Sequence, residues 1–178
     1  MHHKVAIHSL ILLTATFCTF LWVSDSTLSL YALQVSAILL LTLLISKRLL
    51  KTPSFKLAES TIATITILLI VGTTGGIHSP LFFLNYLLLF SLSILLEPIL
   101  PIILSGAIIV FYLLLTPLNE FGPQVAELFA FPLMTPLSYL LGSLYQKVKN
   151  QRLQLQKLSE KVEELEEEIV EEEIKHSI

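Results

Sequence analysis

The sequence predicts an all-α membrane protein, with a bundle of six transmembrane helices over residues 1–145 that continues into a cytoplasmic coiled-coil helix over residues 146–178. Three observations predict this fold class. Apolar runs long enough to cross a bilayer recur along the chain, in which 54% of residues are hydrophobic and 14% are charged. The basic residues gather in clusters between these runs. A heptad pattern of apolar residues marks the C-terminal region.

The basic clusters predict the topology. All eleven Lys and Arg residues lie at Lys4, between Lys47 and Lys56, or between Lys147 and Lys175. Cytoplasmic loops retain Lys and Arg, while translocated loops lack them. Because an even number of crossings fits between successive clusters, we expect a multi-pass protein of the inner (plasma) membrane with both termini in the cytoplasm.

Six apolar runs are each close to the length of about 20 residues that a membrane-spanning helix needs. They cover residues 5–23, 28–45, 57–72, 81–96, 99–115 and 123–145. A secretory signal peptide is the alternative for residues 1–23, but Lys4 alone makes a weak basic region and no A-x-A cleavage site follows Val23. External loops are expected around Asp25, at residues 73–80 and at residues 116–120.

The boundary between the fourth and fifth runs lies at Glu97-Pro98. Proline is favoured at the first position of a helix, and the residue before a proline avoids helical angles. The pair therefore predicts a tight hairpin between two spans, with a re-entrant segment over residues 97–101 as the alternative. Only the hairpin keeps all the basic residues on one side of the membrane.

The segment after Tyr145 predicts a coiled coil. Heptad a positions hold Val148, Leu155, Val162 and Ile169, and the two apolar d positions hold Leu158 and Leu165. Branched residues at a with Leu at d favour two parallel strands, so this tail predicts a homodimer. Nine of the fourteen acidic residues lie between Glu160 and Glu173, and a solvated acidic helix without a partner is the alternative.

The most distinctive local string begins at Gly75 and reads GGIHSPLFFLNY, between the third and fourth runs. It resembles the external loop in the six-span membrane domains of redox-responsive sensor histidine kinases, where a GGxxNPF string occupies this place. Gly75, Gly76 and Pro80 match that string. Ser79 stands in place of the Asn, and Leu81 stands in place of the Phe.

The resemblance implies the input half of a bacterial sensor kinase, with the loop in contact with a quinone. Ser79 would donate a hydrogen bond to a quinone carbonyl, and a neighbouring Phe would supply an aromatic ring. The candidate ligand residues are Gly75, Gly76, His78, Ser79, Pro80, Phe82, Phe83 and Asn85. A Gly-rich reversal between two helices is the alternative for the loop, and a link between helices is the alternative for Asn85.

Catalysis by this chain is not expected. No phosphoacceptor or ATP-binding motif follows the heptads, and no His or Asp accompanies the Ser and Thr residues of the third run as a base. No cofactor besides a quinone and no metal is predicted, and basic residues at membrane edges argue against nucleic-acid binding. The tail would hand a signal to a separate kinase or another cytoplasmic partner. A scaffolding membrane protein whose coil recruits a partner is the rival class, and a transporter comes third.

Overall fold

The computed structural model of the protein describes residues 2–49, 55–115 and 121–176. Every regular element within these ranges is a helix, and no strand occurs among them. The predicted all-α fold class is therefore confirmed. The chain divides into two compact units, residues up to Gly142 and residues from Ser143 onward.

Seven α-helices and one 3-10 helix make up the described ranges. The helices are α1 (His2–Ser24), α2 (Ser26–Ser29), α3 (Ala32–Leu49), α4 (Phe55–Thr73), α5 (Leu84–Leu95), α6 (Leu100–Leu115) and α7 (Phe121–His176), and the 3-10 helix (Gly76–His78) precedes α5. The predicted external loop at residues 116–120 lies outside the described residues. Residues 50–54, which connect the second apolar run to the third, also lie outside the described residues.

Among the described residues, three helical stretches are long and apolar enough to cross a membrane. They are Val5–Ser24, Lys56–Thr73 and Leu128–Ile169. Three shorter helical stretches are also apolar, namely Ala32–Ser46, Leu84–Leu95 and Leu100–Leu115. Length and composition therefore support association with a membrane, and they place apolar helices within all six predicted runs.

Asp25 begins a short helix that the apolar pattern does not show. Its carboxylate caps α2 and accepts hydrogen bonds from the backbone N–H groups of Thr27 at 2.8 Å and Leu28 at 3.2 Å. The hydroxyl of Thr27 donates to the same oxygen. These hydrogen bonds hold the pKa of Asp25 below its usual value, and the bond from the Thr27 hydroxyl has the largest effect. The second apolar run was predicted to begin its helix at Leu28, whereas the long helix begins at Ala32 because the capped turn comes first.

The helix of the fourth run begins at Leu84 and not at Leu81 as predicted. The hydroxyl of Ser79 accepts the N–H of Leu81 at 3.1 Å, and the carbonyl of Ser79 accepts the N–H of Phe82 at 2.9 Å. These bonds form a turn that delays the helix by three residues.

The break between α5 and α6 coincides with the predicted one at Glu97-Pro98. The carbonyl of Glu97 accepts the N–H of Leu100 at 3.0 Å, which closes the turn where α6 begins. Helices α5 and α6 are in contact with each other. A short connection between two packed helices agrees with the hairpin. The same turn would also occur in a re-entrant segment, so it is common to both alternatives.

The first unit is built around α4, which packs against α1, α3 and α5, while α6 packs against α1 and α5. Most of these helices contribute at least one apolar side chain to the core. Its fully buried members include Leu12, Leu68, Val71, Leu88, Leu89, Leu104, Ile108, Phe111, Tyr112 and Phe131. Among the side chains of α3 that the structure describes, the buried ones are small, Ala32 and Ser36, and the helix lies at the periphery.

Polarity in this unit is inverted relative to a soluble domain. Many buried polar side chains are Ser and Thr whose hydroxyls donate to a carbonyl on their own helix, such as Thr16, Thr19, Ser36, Thr64 and Thr66. Large apolar side chains lie on the outside, with Leu30 73% and Leu133 77% exposed. Soluble monomers rarely expose contiguous apolar surface beyond a few hundred Å², so this outer surface calls for a covering medium.

Candidate functional site

Two glycines determine the backbone of the loop between α4 and α5. The φ angle is 123° at Gly75 and 60° at Gly76, and residues that carry a Cβ resist such positive values. A Cβ on Gly76 would meet only Leu115 at 3.7 Å and Tyr112 at 4.0 Å, which are ordinary contacts. Backbone conformation, and not lack of space, is therefore the reason for glycine at this position.

Ser79 closes the loop with its side chain. Its hydroxyl lies 2.6 Å from that of Thr74, and Thr74 in turn donates to the carbonyl of Ile70 at 2.7 Å. Because Thr74 gives its one proton to Ile70, Ser79 supplies the proton of the bond between the two hydroxyls. The Ser79 oxygen also accepts the N–H of Leu81, and the residue is 5% exposed. The hydroxyl predicted to meet a ligand is thus engaged within the loop.

Four aromatic rings meet beneath the loop, and we call this group the aromatic cluster. Phe82 lies 5.3 Å from Tyr112 and 5.6 Å from Phe131, measured between ring centroids. Tyr86 lies 5.1 Å from Phe131. Edge-on and tilted pairs at these distances are favourable arrangements of aromatic rings. The cluster joins the end of the loop to α5, α6 and α7.

Asn85 links α5 to α6 inside this cluster. Its side-chain amide donates to the carbonyl of Phe82 at 3.0 Å and to the hydroxyl of Tyr112 at 2.9 Å. The amide oxygen is buried and has no hydrogen-bond partner among the described residues. The contact is the interhelical link that the sequence offers as the alternative for Asn85.

The structure separates the eight candidate ligand residues into two groups. Gly76, Ser79, Phe82 and Asn85 are buried, and Gly75, His78, Pro80 and Phe83 are exposed. Phe83 is the one large exposed ring of the group, at 52%. A ligand that approaches the loop from outside would therefore meet Phe83 and its exposed neighbours first.

A second polar contact, which was not anticipated from the sequence, joins α5 to α7. Ser138 donates its hydroxyl to the carbonyl of Leu89 at 2.8 Å, and Ser93 donates its hydroxyl to the carbonyl of Ser138. A Cβ on Gly142 would lie 1.9 Å from the Ser93 hydroxyl, so the two helices touch at this glycine. The signal was present as Ser138-x-x-x-Gly142, since small residues four apart let membrane helices approach closely.

The tail residues of the heptad form no contact that buries them. Val148, Leu155, Leu158, Val162, Leu165 and Ile169 all lie on α7 in the second unit, and they are between 48% and 66% exposed. Among the described residues of this unit, none covers these six apolar side chains. The predicted dimer interface therefore consists of apolar side chains that are available on the surface of a single chain.

The chain was also compared with known proteins. No family model, no curated protein and no solved structure matches it. The candidate function is therefore inferred from the loop, the aromatic cluster and the heptad residues themselves.

Proposed function

We propose that the protein is a membrane-embedded sensor or signal-transducing module that resembles the input domain of a histidine kinase. It crosses the plasma membrane six times, keeps both termini in the cytoplasm and forms a homodimer through α7. The inverted polarity supports the membrane location, because hydrocarbon offers no partner to a polar group and hydroxyls must be satisfied internally. The buried hydroxyls of Thr16 on α1 and Thr64 on α4 do so through carbonyls of their own helices.

The fourth crossing combines a helix with the loop before it. Helix α5 has 12 residues and is about 18 Å long, less than the hydrocarbon thickness of about 30 Å. In this proposal, residues 76–83 cross the rest of the hydrocarbon layer. Gly76, Ile77 and Ser79 are buried, and non-helical backbone at membrane depth is tolerated where protein covers it.

One contact carries the proposal of signalling. The ring of Phe82, at the end of the loop, packs against Phe131 on α7. Helix α7 runs from Phe121 to His176 and contains both this aromatic residue and the heptad positions. A shift of Phe82 would therefore act on the same helix that carries the dimer interface, and packed interfaces move between discrete arrangements.

The proposed ligand is a small molecule that binds the outer side of the loop, and the resemblance implies a quinone. The exposed ring of Phe83 can stack on a flat ring, beside the exposed His78 and Pro80. Because Phe83 and Phe82 are adjacent in the chain, a ligand held by the first would displace the backbone of the second. Ser79 contributes by holding the loop in place.

The proposed output is the parallel coil. In a parallel dimer Lys161 at heptad position g faces Glu166 at position e of the partner, which is an attractive pair. Glu168 and Glu173 occupy the next such positions and repel, so the distal coil would bind a basic surface of a kinase or another cytoplasmic protein.

Disulfide formation at a d position tests the proposal. In nanodiscs and a Cys18→Ser background, Leu158→Cys should crosslink to its own copy, while Gln156→Cys, at heptad position b, should not. Copper phenanthroline in excess oxidises the two thiols in every sample, so that the quinone is not the oxidant. A short-chain quinone with a fully substituted ring, to which thiols do not add, should change the rate of crosslinking about threefold, which corresponds to about 0.7 kcal/mol. Phe131→Ala should keep the crosslink and abolish the response to quinone, and the matched exposed variant Leu133→Ala should keep both.

The rival function is a scaffold whose acidic tail recruits a partner. The exposure of the described acidic side chains from Glu160 to Glu168 favours it to the same degree as it favours a sensor. The two functions differ in whether a ligand at the loop changes the arrangement of the coil. A scaffold would crosslink at Leu158→Cys at one rate with or without quinone, and Phe131→Ala would leave that rate unchanged.

A further inference from the structure

A group of basic residues on α7 has no part in the proposed signal route. Lys147, Lys149 and Arg152 lie within two turns of this helix, and we call them the basic collar. All three side chains are exposed. They follow Tyr145, at which the sixth apolar run ends and whose side chain is 48% exposed. Tyrosine is enriched where a membrane helix leaves the hydrocarbon, so in the proposed topology the collar lies at the lipid headgroups.

The charge of the collar is not compensated along α7. No Asp or Glu occurs in the sequence between Glu127 and Glu160. Neighbours on a helix surface are three or four residues apart, so no collar residue has an acidic neighbour on its own helix. Glu160 follows Arg152 by eight residues, about 12 Å along the helix axis, which exceeds the Debye length of about 8 Å at physiological salt. An anion that neutralises the collar must therefore come from outside this helix.

The parallel dimer brings the charges of two collars together. Continuing the heptad from Val148 at position a places Lys147 at position g and Arg152 at position e. In a parallel coil, a residue at g faces the residue at the following e position of the partner. Lys147 of one copy therefore faces Arg152 of the other copy, and the two-fold symmetry repeats this pair on the opposite side of the coil. Both pairs repel.

The apolar seam of the coil is also weakest at this level. The d position between the repelling cations holds Gln151, whereas the next two d positions hold Leu158 and Leu165. A polar residue in the seam lowers the stability of a coiled coil. The base of the coil therefore gains more from an external anion than the heptads farther along the tail.

The position of the collar along α7 favours a lipid as the source of this anion. At 1.5 Å per residue, the Cα atoms of Lys147, Lys149 and Arg152 lie about 3, 6 and 10 Å beyond that of Tyr145. The headgroup region of one leaflet is about 5–7 Å thick, and the long side chains of Lys and Arg can bend toward it. Anionic lipids of the cytoplasmic leaflet attract basic residues at this short distance from the membrane.

We propose that the basic collar binds the phosphate groups of anionic phospholipids in the cytoplasmic leaflet. By neutralising Lys147 and Arg152, these lipids favour the parallel coil at its base. The inference rests on the proposed function for the topology and for the parallel dimer. It adds a dependence of the coil on lipid charge, and this dependence is separate from the ligand proposed for the loop.

Retention of lipids by the purified protein tests the binding step. The full-length protein is purified from micelles that contain equal amounts of anionic phosphatidylglycerol (PG) and zwitterionic phosphatidylcholine (PC), and the lipids that remain bound are measured by mass spectrometry. We expect PG to be enriched over PC. A collar variant, in which Gln replaces all three collar residues, should lose part of this enrichment. The matched variant with Lys157→Gln, Lys161→Gln and Lys175→Gln removes the same charge farther from the membrane and should keep it.

Crosslinking of the coil tests the effect of the bound lipid. In nanodiscs that hold two copies of a Cys18→Ser protein, with copper phenanthroline as the oxidant, Leu158→Cys should crosslink about fivefold faster in PG than in PC. Lys147→Gln removes the repulsion without lipid, so it should speed crosslinking in PC and lose most of the difference between the lipids. The matched change Lys157→Gln, at heptad position c, should keep the fivefold difference. Lys147→Gln would also reveal any gathering of the cationic copper complex at the anionic surface.

The possible outcomes separate this inference from the proposed function. Equal PG enrichment in the two triple variants, or one crosslinking rate in PG and PC, would overturn the inference and leave the dimer intact. Millimolar inorganic phosphate that speeds crosslinking in PC as much as PG does would assign the collar to a soluble anion and overturn the lipid as its partner. Absence of the Leu158→Cys crosslink in both lipids would refute the parallel dimer, and with it the effect of lipid on the coil, even if the collar variant loses PG.

Discussion

Ser79 and Asn85 illustrate how burial determines the role of a polar side chain. Both are plausible ligand contacts when only the amino-acid sequence is known. In the folded protein the hydroxyl of Ser79 donates a hydrogen bond to the hydroxyl of Thr74. The side-chain amide of Asn85 donates to the hydroxyl of Tyr112 and to the carbonyl of Phe82. Buried polar groups need partners, and the Ser79 hydroxyl and the side-chain N–H groups of Asn85 find theirs within the protein.

The neighbours Ser79 and Phe83 should therefore behave oppositely on substitution. Ser79→Ala removes two hydrogen bonds in a buried position, at a cost of about 1–3 kcal/mol, and should lower the melting temperature with little change in quinone affinity. Phe83→Ala removes an exposed ring and should weaken quinone binding about tenfold, with the melting temperature unchanged. Thermal unfolding in detergent and quinone titration of the purified dimer measure both. The reverse pattern would show that the ligand contacts Ser79 directly.

The cap at Asp25 predicts a dependence on pH. Its folded pKa lies below the usual 3.8, so the stabilisation is present above that value and is lost as the pH falls through the folded pKa. The melting temperature of the protein should exceed that of Asp25→Asn at pH 7, and the difference should shrink below pH 4. Thr27→Val removes the largest cause of the shift and should move the pKa of Asp25, followed by NMR, back toward its usual value. A difference that stays constant with pH would contradict the cap.

At the scale of helices, contact in the membrane depends on small residues at particular positions. Helices α5 and α7 meet where Ser93, Ser138 and Gly142 allow close approach. Helix α6 has a glycine as well, but Gly106 meets no neighbour. Two glycines in apolar helices thus have different roles, one at a contact and one beside a cavity.

This difference gives a matched pair of substitutions. Gly142→Ala would place a Cβ 2.6 Å from the backbone oxygen of Ser93, and such overpacking should destabilise the protein by about 1–3 kcal/mol. Gly106→Ala should be neutral or stabilise by up to about 1 kcal/mol, because alanine is the better helix former. Thermal unfolding of both variants under one condition decides the matter. Equal effects would indicate that α5 and α7 do not touch at Gly142.

At the scale of the whole molecule, the six-span topology predicts which positions reagents can reach. In intact cells and a Cys18→Ser background, single cysteines at Ser26 and His78 should react with a membrane-impermeant maleimide, and a cysteine at Gln154 should not. Permeabilised cells should label all three, which controls for reactivity. Labelling at position 154 without permeabilisation would place the tail outside and refute the topology.

The amino-acid sequence by itself determined the helical class, the order of the apolar helices and the breaks at Asp25, at Gly75-Gly76 and at Glu97-Pro98. These properties depend on neighbours within a few residues. Apolar runs, glycines that tolerate positive φ and prolines without an N–H act locally, so they can be recognised from the chain alone. Helix α5 begins later than the apolar run predicts because the hydroxyl of Ser79 accepts the N–H of Leu81 and extends the turn.

Tertiary structure alone decided which candidate residues are buried and which helices touch. Phe82 and Phe83 are adjacent and chemically identical, yet one packs on Phe131 and the other faces outward. Ser93 finds its partner Ser138 45 residues away. Pairings at such separations depend on how the helices pack in three dimensions, and periodicity along one chain contains no information about the partner on another helix.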